Sequence, residues 1–251
     1  MPALSLTTFN THYSVRPARK PPAEPYDMLA ALRALDADVI VIQEVWRPDR
    51  RRGPVDDAAD TLGLTVTFEP TGPATTDARW PHLSRGGAGV SGIAVLTRRP
   101  LRRVGVLTVG PTFLDSAPRR TALDVELDID GTPLRLVAVH LTSRLPHGPP
   151  IQLRRLAGLL PSPGTPTVVA GDHNFWGPGV VALMPGWQRV VRGRTWPTRA
   201  PHSQIDHVLI RPGEIEVIDG RVLADLGSDH LPLRAELLVR AERELRPDPG
   251  R

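Results

Sequence analysis

Ten short apolar runs, rich in Val, Ile and Leu, recur at positions 3–9, 38–43, 64–68, 93–97, 122–127, 134–139, 167–170, 205–210, 214–218 and 233–239. Each has the length of a strand, and β-branched side chains pack well on a pleated surface. Helical spacing is confined to 26–35, 55–62 and 151–160. Gly131 and Thr132 after Asp130 predict a hairpin turn. Strands so outnumber helices that the chain is expected to pack sheet on sheet and carry its helices outside. Residues 14–25 resemble a linker most, but they join the first strand to the first helix and so read as a surface loop. One domain over 1–240 follows, with a charged tail at 241–251 expected to fray.

The chain has 251 residues, enough to bury a substantial core, and its 40% hydrophobic and 23% charged residues exclude wholesale disorder. No apolar run approaches the roughly 18 residues of a membrane span. Residues 1–17 lack the basic start and apolar stretch of a secretory signal. With no cysteine there is no disulfide, thiolate metal site or Cys nucleophile. The expectation is a soluble, cytoplasmic protein, with no protein partner indicated.

Charge is distributed unevenly. Lys20 is the sole lysine among 31 basic residues. Between residues 131 and 205, eight arginines (135, 144, 154, 155, 189, 192, 194 and 199) face a single acid, Asp172, a surplus of +7. Such a bias suits a phosphate-bearing or polyanionic ligand. It equally suits a solvated arginine surface.

Chemistry concentrates where the apolar runs end. Asn10 closes LSLTTFN, Glu44 closes DVIVIQE and His140 closes LRLVAVH. Asp172 and Asn174 follow TVVA, Asp206 opens DHVLI, and Asp229 and His230 precede LPLRAELLV. Strand ends carry ligand sites in layered α/β proteins because loops specialise there on a rigid frame. Carboxylates and amides without thiolates suit a hard divalent cation, Mg²⁺ or Mn²⁺. A histidine near an Asp can stay charged and face a phosphoryl oxygen. Together these are the needs of phosphoester hydrolysis.

Seven segments, TTFN, DVIVIQEV, SGIAVLTRRPL, VAVHLTS, VVAGDHN, QIDHVLI and GSDHLPL, occur in the order found in the endonuclease/exonuclease/phosphatase superfamily, which the chain resembles from Leu4 to about Val239. The resemblance implies a four-layer α/β sandwich, two packed mixed β-sheets flanked by helices. It also implies a Mg²⁺- or Mn²⁺-dependent phosphoesterase, with Glu44 as principal metal ligand and Asn10 and Asp229 beside it. By the same resemblance Asp172 orients the attacking water and Asn174 holds that water or the phosphate. His230 contacts the phosphoryl group, oriented by Asp229, and His140 is the candidate acid for the leaving group. Asp206 completes the metal or histidine network, and Gln43 and Arg120 are supporting positions.

The chain departs from the family wording at His173, inside GDHN, and at His207, inside IDHV. Alternate strand residues face opposite ways, so both are expected as outward or hydrogen-bonded rings. His12, His82, His147 and His202 lie in no motif and are expected on loops. Trp46, Trp176 and Trp196 lie near the motifs, where base stacking and core packing are both open to them. Three functions compete. The first is a nuclease-like phosphodiesterase acting on nucleic acid. The second is a hydrolase of a small-molecule or lipid phosphoester, and the third a binding module on the same fold. The last conflicts with the presence of the Glu, the Asp-Asn pair and the terminal Asp-His.

Overall fold

A computed structural model describes residues 1–17, 24–48, 51–73, 89–113, 115, 120–143 and 146–240; the expected tail at 241–251 and His82 lie outside them. One sheet is built from β1 (Ala3–Asn10), β2 (Val39–Pro48), β3 (Thr65–Pro73), β4 (Gly89–Thr97), β11 (Ile215–Val222) and β12 (Leu233–Val239), in the order β11-β12-β1-β2-β4-β3. The other holds β5 (Leu101–Gly110), β6 (Arg120–Ile129), β7 (Thr132–His140), β8 (Thr167–Asp172), β9 (Gln188–Arg189) and β10 (Asp206–Ile210), in the order β5-β6-β7-β8-β10-β9. Both sheets are mixed, each with one parallel pair, β1 with β2 and β7 with β8.

The sheets face each other through Leu4, Leu6, Val39, Val41, Ile93 and Val95 on one side and Leu123, Val125, Leu136, Val168, Ala170 and Val208 on the other. Their outer faces are apolar too, which is why the central strands read as continuous rather than alternating runs. Helices α1 (Met28–Leu35) and α2 (Pro54–Thr61) cover the first sheet, with Leu32, Leu35, Val55 and Ala59 against Ile40 and Ile42. Helices α3 (Gly148–Leu159) and α4 (Gly177–Leu183) cover the second, with Leu153, Leu156 and Val180 against Val137, Val139 and Val169. The result is the expected four-layer sandwich.

Besides a 3₁₀ turn at His12–Ser14, three elements were not anticipated. β5 lies at a sheet edge, and its Arg102, Arg103 and Gly105, with the exposed Val104 and Val106, interrupt any apolar run. β9 spans only two residues. α4 starts on a Gly-Pro-Gly sequence that reads as a turn.

Candidate active site

Parallel pairing sets where the reactive side chains emerge. In the first sheet Asn10, the last residue of β1, lies opposite Gln43 midway along β2, and Glu44 follows. In the second, His140 lies opposite Asp172 at the carboxyl ends of β7 and β8. β10 runs antiparallel to β8 and opens with Asp206 opposite Asp172. Residues 228–230 lead into β12, which pairs with β1. The strand ends of both sheets thus converge on one spot.

Local backbone distortion aims two of these groups. β2 carries a bulge between Ile42 and Val45, and Glu44 within it has φ 54°, a left-handed conformation unusual for Glu. Asn174 has φ 47°. Its backbone N–H donates to Asp172 Oδ1 at 2.8 Å and its side-chain amide to Leu141 O at 2.9 Å, which fixes the turn after β8. Gly171, at φ 143°, lets β8 pass β7 where a Cβ would stand 2.0 Å from Val139 O.

Asn10 joins the sheets. Its Nδ2 donates to Asp172 Oδ2 at 3.0 Å and to Glu44 Oε1 at 3.3 Å, while its Oδ1 accepts from His12 N at 3.0 Å. His230 Nδ1 donates to both oxygens of Asp206, at 2.9 and 3.1 Å. The other ring nitrogen lies 3.9 Å from Asp172 Oδ2 and 4.0 Å from Asp229 Oδ1. His140 Nε2 is 3.7 Å from both Glu44 Oε1 and Asp172 Oδ2. Asp229 is held by Trp196 Nε1 at 3.4 Å and by Ser228 Oγ at 3.4 Å, with His12 Nδ1 at 3.6 Å.

Four acids in so little water repel one another. Burial, then Asp229, push the Glu44 carboxyl up to about 8, and burial, then Asp206, push Asp172 up to about 7. Burial alone would discharge His230, but Asp206, Asp172 and Asp229 outweigh it and raise the ring to about 10. His140 is driven the other way. Burial, with Arg120 and His230 as neighbouring cations, lowers it to about 3, so it stands as a neutral imidazole.

This negative excess and oxygen-rich donor set fit a hard divalent cation. Ligand atoms of Asp172, Asp206 and His230 lie within 4.8 Å of one another. His230, with Nδ1 donating to Asp206, offers its other nitrogen to a cation when neutral, so the trio is a candidate metal site and, with the ring charged, a hydrogen-bonded relay. Glu44, with Asn10 and Asp229, is the set whose charge a cation would relieve.

One expectation needs correction. Asp206, 24 residues away, orients His230, not the adjacent Asp229. Gln43 is fully buried and exchanges hydrogen bonds with Thr8 inside the sandwich, so it braces β1 against β2 beside Asn10, as a supporting position would. Arg120 grips Asp115 through two nitrogens and reaches Thr142 Oγ1 at 3.4 Å, acting on the site through its charge beside His140. His173 and His207 are hydrogen-bonded rings, as expected: both are buried and bonded to the carbonyls of Gly171 and Phe175, each at 2.9 Å. Trp196 is tied to Asp229, Trp46 is half-buried on β2, and Trp176 presents 58% of its surface to solvent. His12 reaches the site without any motif; its position two residues beyond the strand-ending Asn10 was the only signal.

A sequence profile of the endonuclease/exonuclease/phosphatase family matches residues 7–230. The chain belongs to this family. Its members are in general phosphoester hydrolases that use a divalent metal. No curated protein matches the chain by sequence. Among solved structures, an endonuclease/exonuclease/phosphatase from Beutenbergia cavernae shares 22% identity at a TM-score of 0.74, over 95% of this chain and 72% of that one. The human Nocturnin catalytic domain with bound sulfate anion shares 17% identity, TM-score 0.70, over 95% of each chain. A mannosyl-6-phosphatase from Bacteroides thetaiotaomicron shares 14% identity, TM-score 0.68, over 94% of this chain and 99% of its own. At these identities the likeness is one of fold. Among the described residues, no helix is long and apolar enough to cross a membrane.

Proposed function

We propose that this chain is a divalent-metal-dependent phosphodiesterase that hydrolyses nucleic acid. The observation that carries the reading is the joining of Glu44, Asn10 and Asp172 across the two sheets, beside an imidazole kept charged by Asp206. Glu44, Asn10 and Asp229 would hold Mg²⁺ or Mn²⁺, which when bound polarises a phosphoryl oxygen and favours the charge built up on it. Asp172, fixed by Asn10 and the backbone of Asn174, orients the attacking water and takes up its proton. The Asn174 amide keeps that turn in place. His230 faces the phosphoryl group with its free nitrogen and protonates the departing oxygen, while Asp206 holds the ring's other face. His140, neutral, donates a hydrogen bond without adding charge.

A second reading, hydrolysis of a small-molecule or lipid phosphoester, is favoured by the likeness of fold to a mannosyl-6-phosphatase. The test compares supercoiled plasmid, bis-p-nitrophenyl phosphate and p-nitrophenyl phosphate with Mg²⁺, Mn²⁺ or EDTA, in the native chain and Asp172→Ala. Metal-dependent nicking lost in the variant supports the nuclease reading. Turnover of the small esters without nicking moves the function to the second reading, and silence on all three refutes both.

A further inference from the structure

Beyond Arg189 the chain turns upward along the outer edge of the second sheet. Arg189 pairs with Leu209, and Val190 N donates to Val208 O at 2.9 Å, so the segment climbs antiparallel to β10 toward the end that bears Asp206. There Thr195 Oγ1 accepts from Ile205 N at 3.3 Å. The loop then closes over the site: Thr198 N donates to Asp229 O and Leu231 N to Thr195 O, both at 2.8 Å, and Trp196 and Ser203 bridge its base.

This anchored loop exposes Arg192, Arg194 and Arg199. Some exposed arginines elsewhere are neutralised: Arg52 by Asp57 and Asp60, Arg102 by Asp128, Arg221 by Asp219. On this loop, among the described residues, none has a carboxylate partner. Arg194 and Arg199 donate only to the carbonyls of Pro201 and Pro17. Like charges held together without counter-charge cost stability, and burial with the field of Arg192 lowers the pKa of neighbouring Arg189. Arg189 in turn lies against Gly177, where a Cβ would come within 1.8 Å of its Nη1, and Gly177 follows the exposed Trp176.

We propose that Arg189, Arg192, Arg194 and Arg199, with Trp176 as a stacking platform, form a flank that holds a single-stranded nucleic acid beside the scissile phosphate. Neighbouring strands are roughly 5 Å apart, so the loop beyond β10 stands about one to two such spacings from Asp206. That suits the phosphates next along a strand, not the one being cleaved. An exposed indole needs an unstacked base, which single strands offer and duplexes do not. This inference rests on the nuclease reading above.

The test is fluorescence anisotropy of a labelled oligothymidylate and of a duplex of equal length, in EDTA, across a salt series. Arg192→Gln/Arg194→Gln/Arg199→Gln is expected to flatten the slope of log K against log salt by about 2, at roughly 0.7 per phosphate contact on a single strand. Trp176→Ala is expected to weaken single-strand binding by about 5- to 150-fold and leave duplex binding unchanged. Both variants are expected to hydrolyse bis-p-nitrophenyl phosphate at the native rate. An unchanged slope, equal loss for both nucleic acids in Trp176→Ala, or no oligonucleotide binding by the native chain overturns the proposal. If small-ester hydrolysis persists in those cases, the phosphoesterase assignment survives without this flank. If Asp172→Ala hydrolyses the small ester as fast as the native chain, it is the catalytic assignment that fails.

Discussion

Replacing Asp206 by Asn tests how the site keeps a buried histidine charged. The ring of His230 is buried yet raised from 6.5 to about 10, against a desolvation that acts the other way. At 1.36 kcal/mol per pKa unit, this is about 5 kcal/mol in favour of the imidazolium. Asp206 makes the two short contacts, while Asp172 and Asp229 stand at 3.9 and 4.0 Å. Most of the preference is therefore expected to vanish in Asp206→Asn. The folded-state value lies above the unfolded one, so this stabilisation is whole below about 6.5 and is lost as pH rises through about 10. Breaking a buried pair costs about 3–5 kcal/mol, which at this chain length lowers Tm by on the order of 10 °C. Two assays follow: differential scanning calorimetry at pH 7 and 10, and the pH profile of Mn²⁺-stimulated bis-p-nitrophenyl phosphate hydrolysis. The Tm deficit should be large at pH 7 and shrink toward pH 10, and the alkaline limb should move down by about two pH units or more. A constant deficit, or an unmoved limb, would refute the reasoning.

Glu44→Gln should abolish metal-stimulated turnover. Because the Glu44 carboxyl is raised from 4.5 to about 8, it must take up a proton on folding at pH 7 in the absence of metal, at a cost of about 3 kcal/mol, and the variant should melt higher in EDTA yet gain nothing from Mn²⁺. Gly171→Ala would place a Cβ 2.0 Å from Val139 O at φ 143°, and should lose soluble expression or reduce Tm by about 10 °C, read by thermal melts. Asp38 takes hydrogen bonds from Ser5 and Arg99 that outweigh its burial and lower its pKa. Its stabilisation holds above about 3.8 and fades as pH falls through the lower folded value, so Asp38→Asn should flatten the acid side of the stability profile below pH 4.

Strands buried on both faces announced themselves, since β2 from Val39 to Ile42 and β8 from Val168 to Ala170 are unbroken apolar runs, buried throughout. β5 did not, because an edge strand needs few apolar residues and its arginines find acids on β6, as Arg103 does with Asp124. The site was legible as reactive residues closing apolar runs. What could not be read was partnership. The Asp206–His230 bond joins strands from different sheets, and neighbouring Asp229 was the nearer acid in sequence. Gln43 stands beside Glu44 and opposite Asn10, but its partner Thr8 could not be read from the sequence. Alternation along β2 turns it inward, and the bulge that re-aims Glu44 leaves no mark in residue type. His12 depended on a turn after β1 that carries no motif.

The Asn10 amide, like the Asp206–His230 bond, is a stitch between two slabs whose middle is packed with hydrocarbon. Dispersion contacts tolerate a small slide, whereas two hydrogen bonds to Glu44 and Asp172 do not. The reactive groups therefore measure the alignment of the two sheets. A cavity cut deep in the interface, at Leu136 or Val168, would be felt first as misaligned chemistry, well before the sandwich itself came apart.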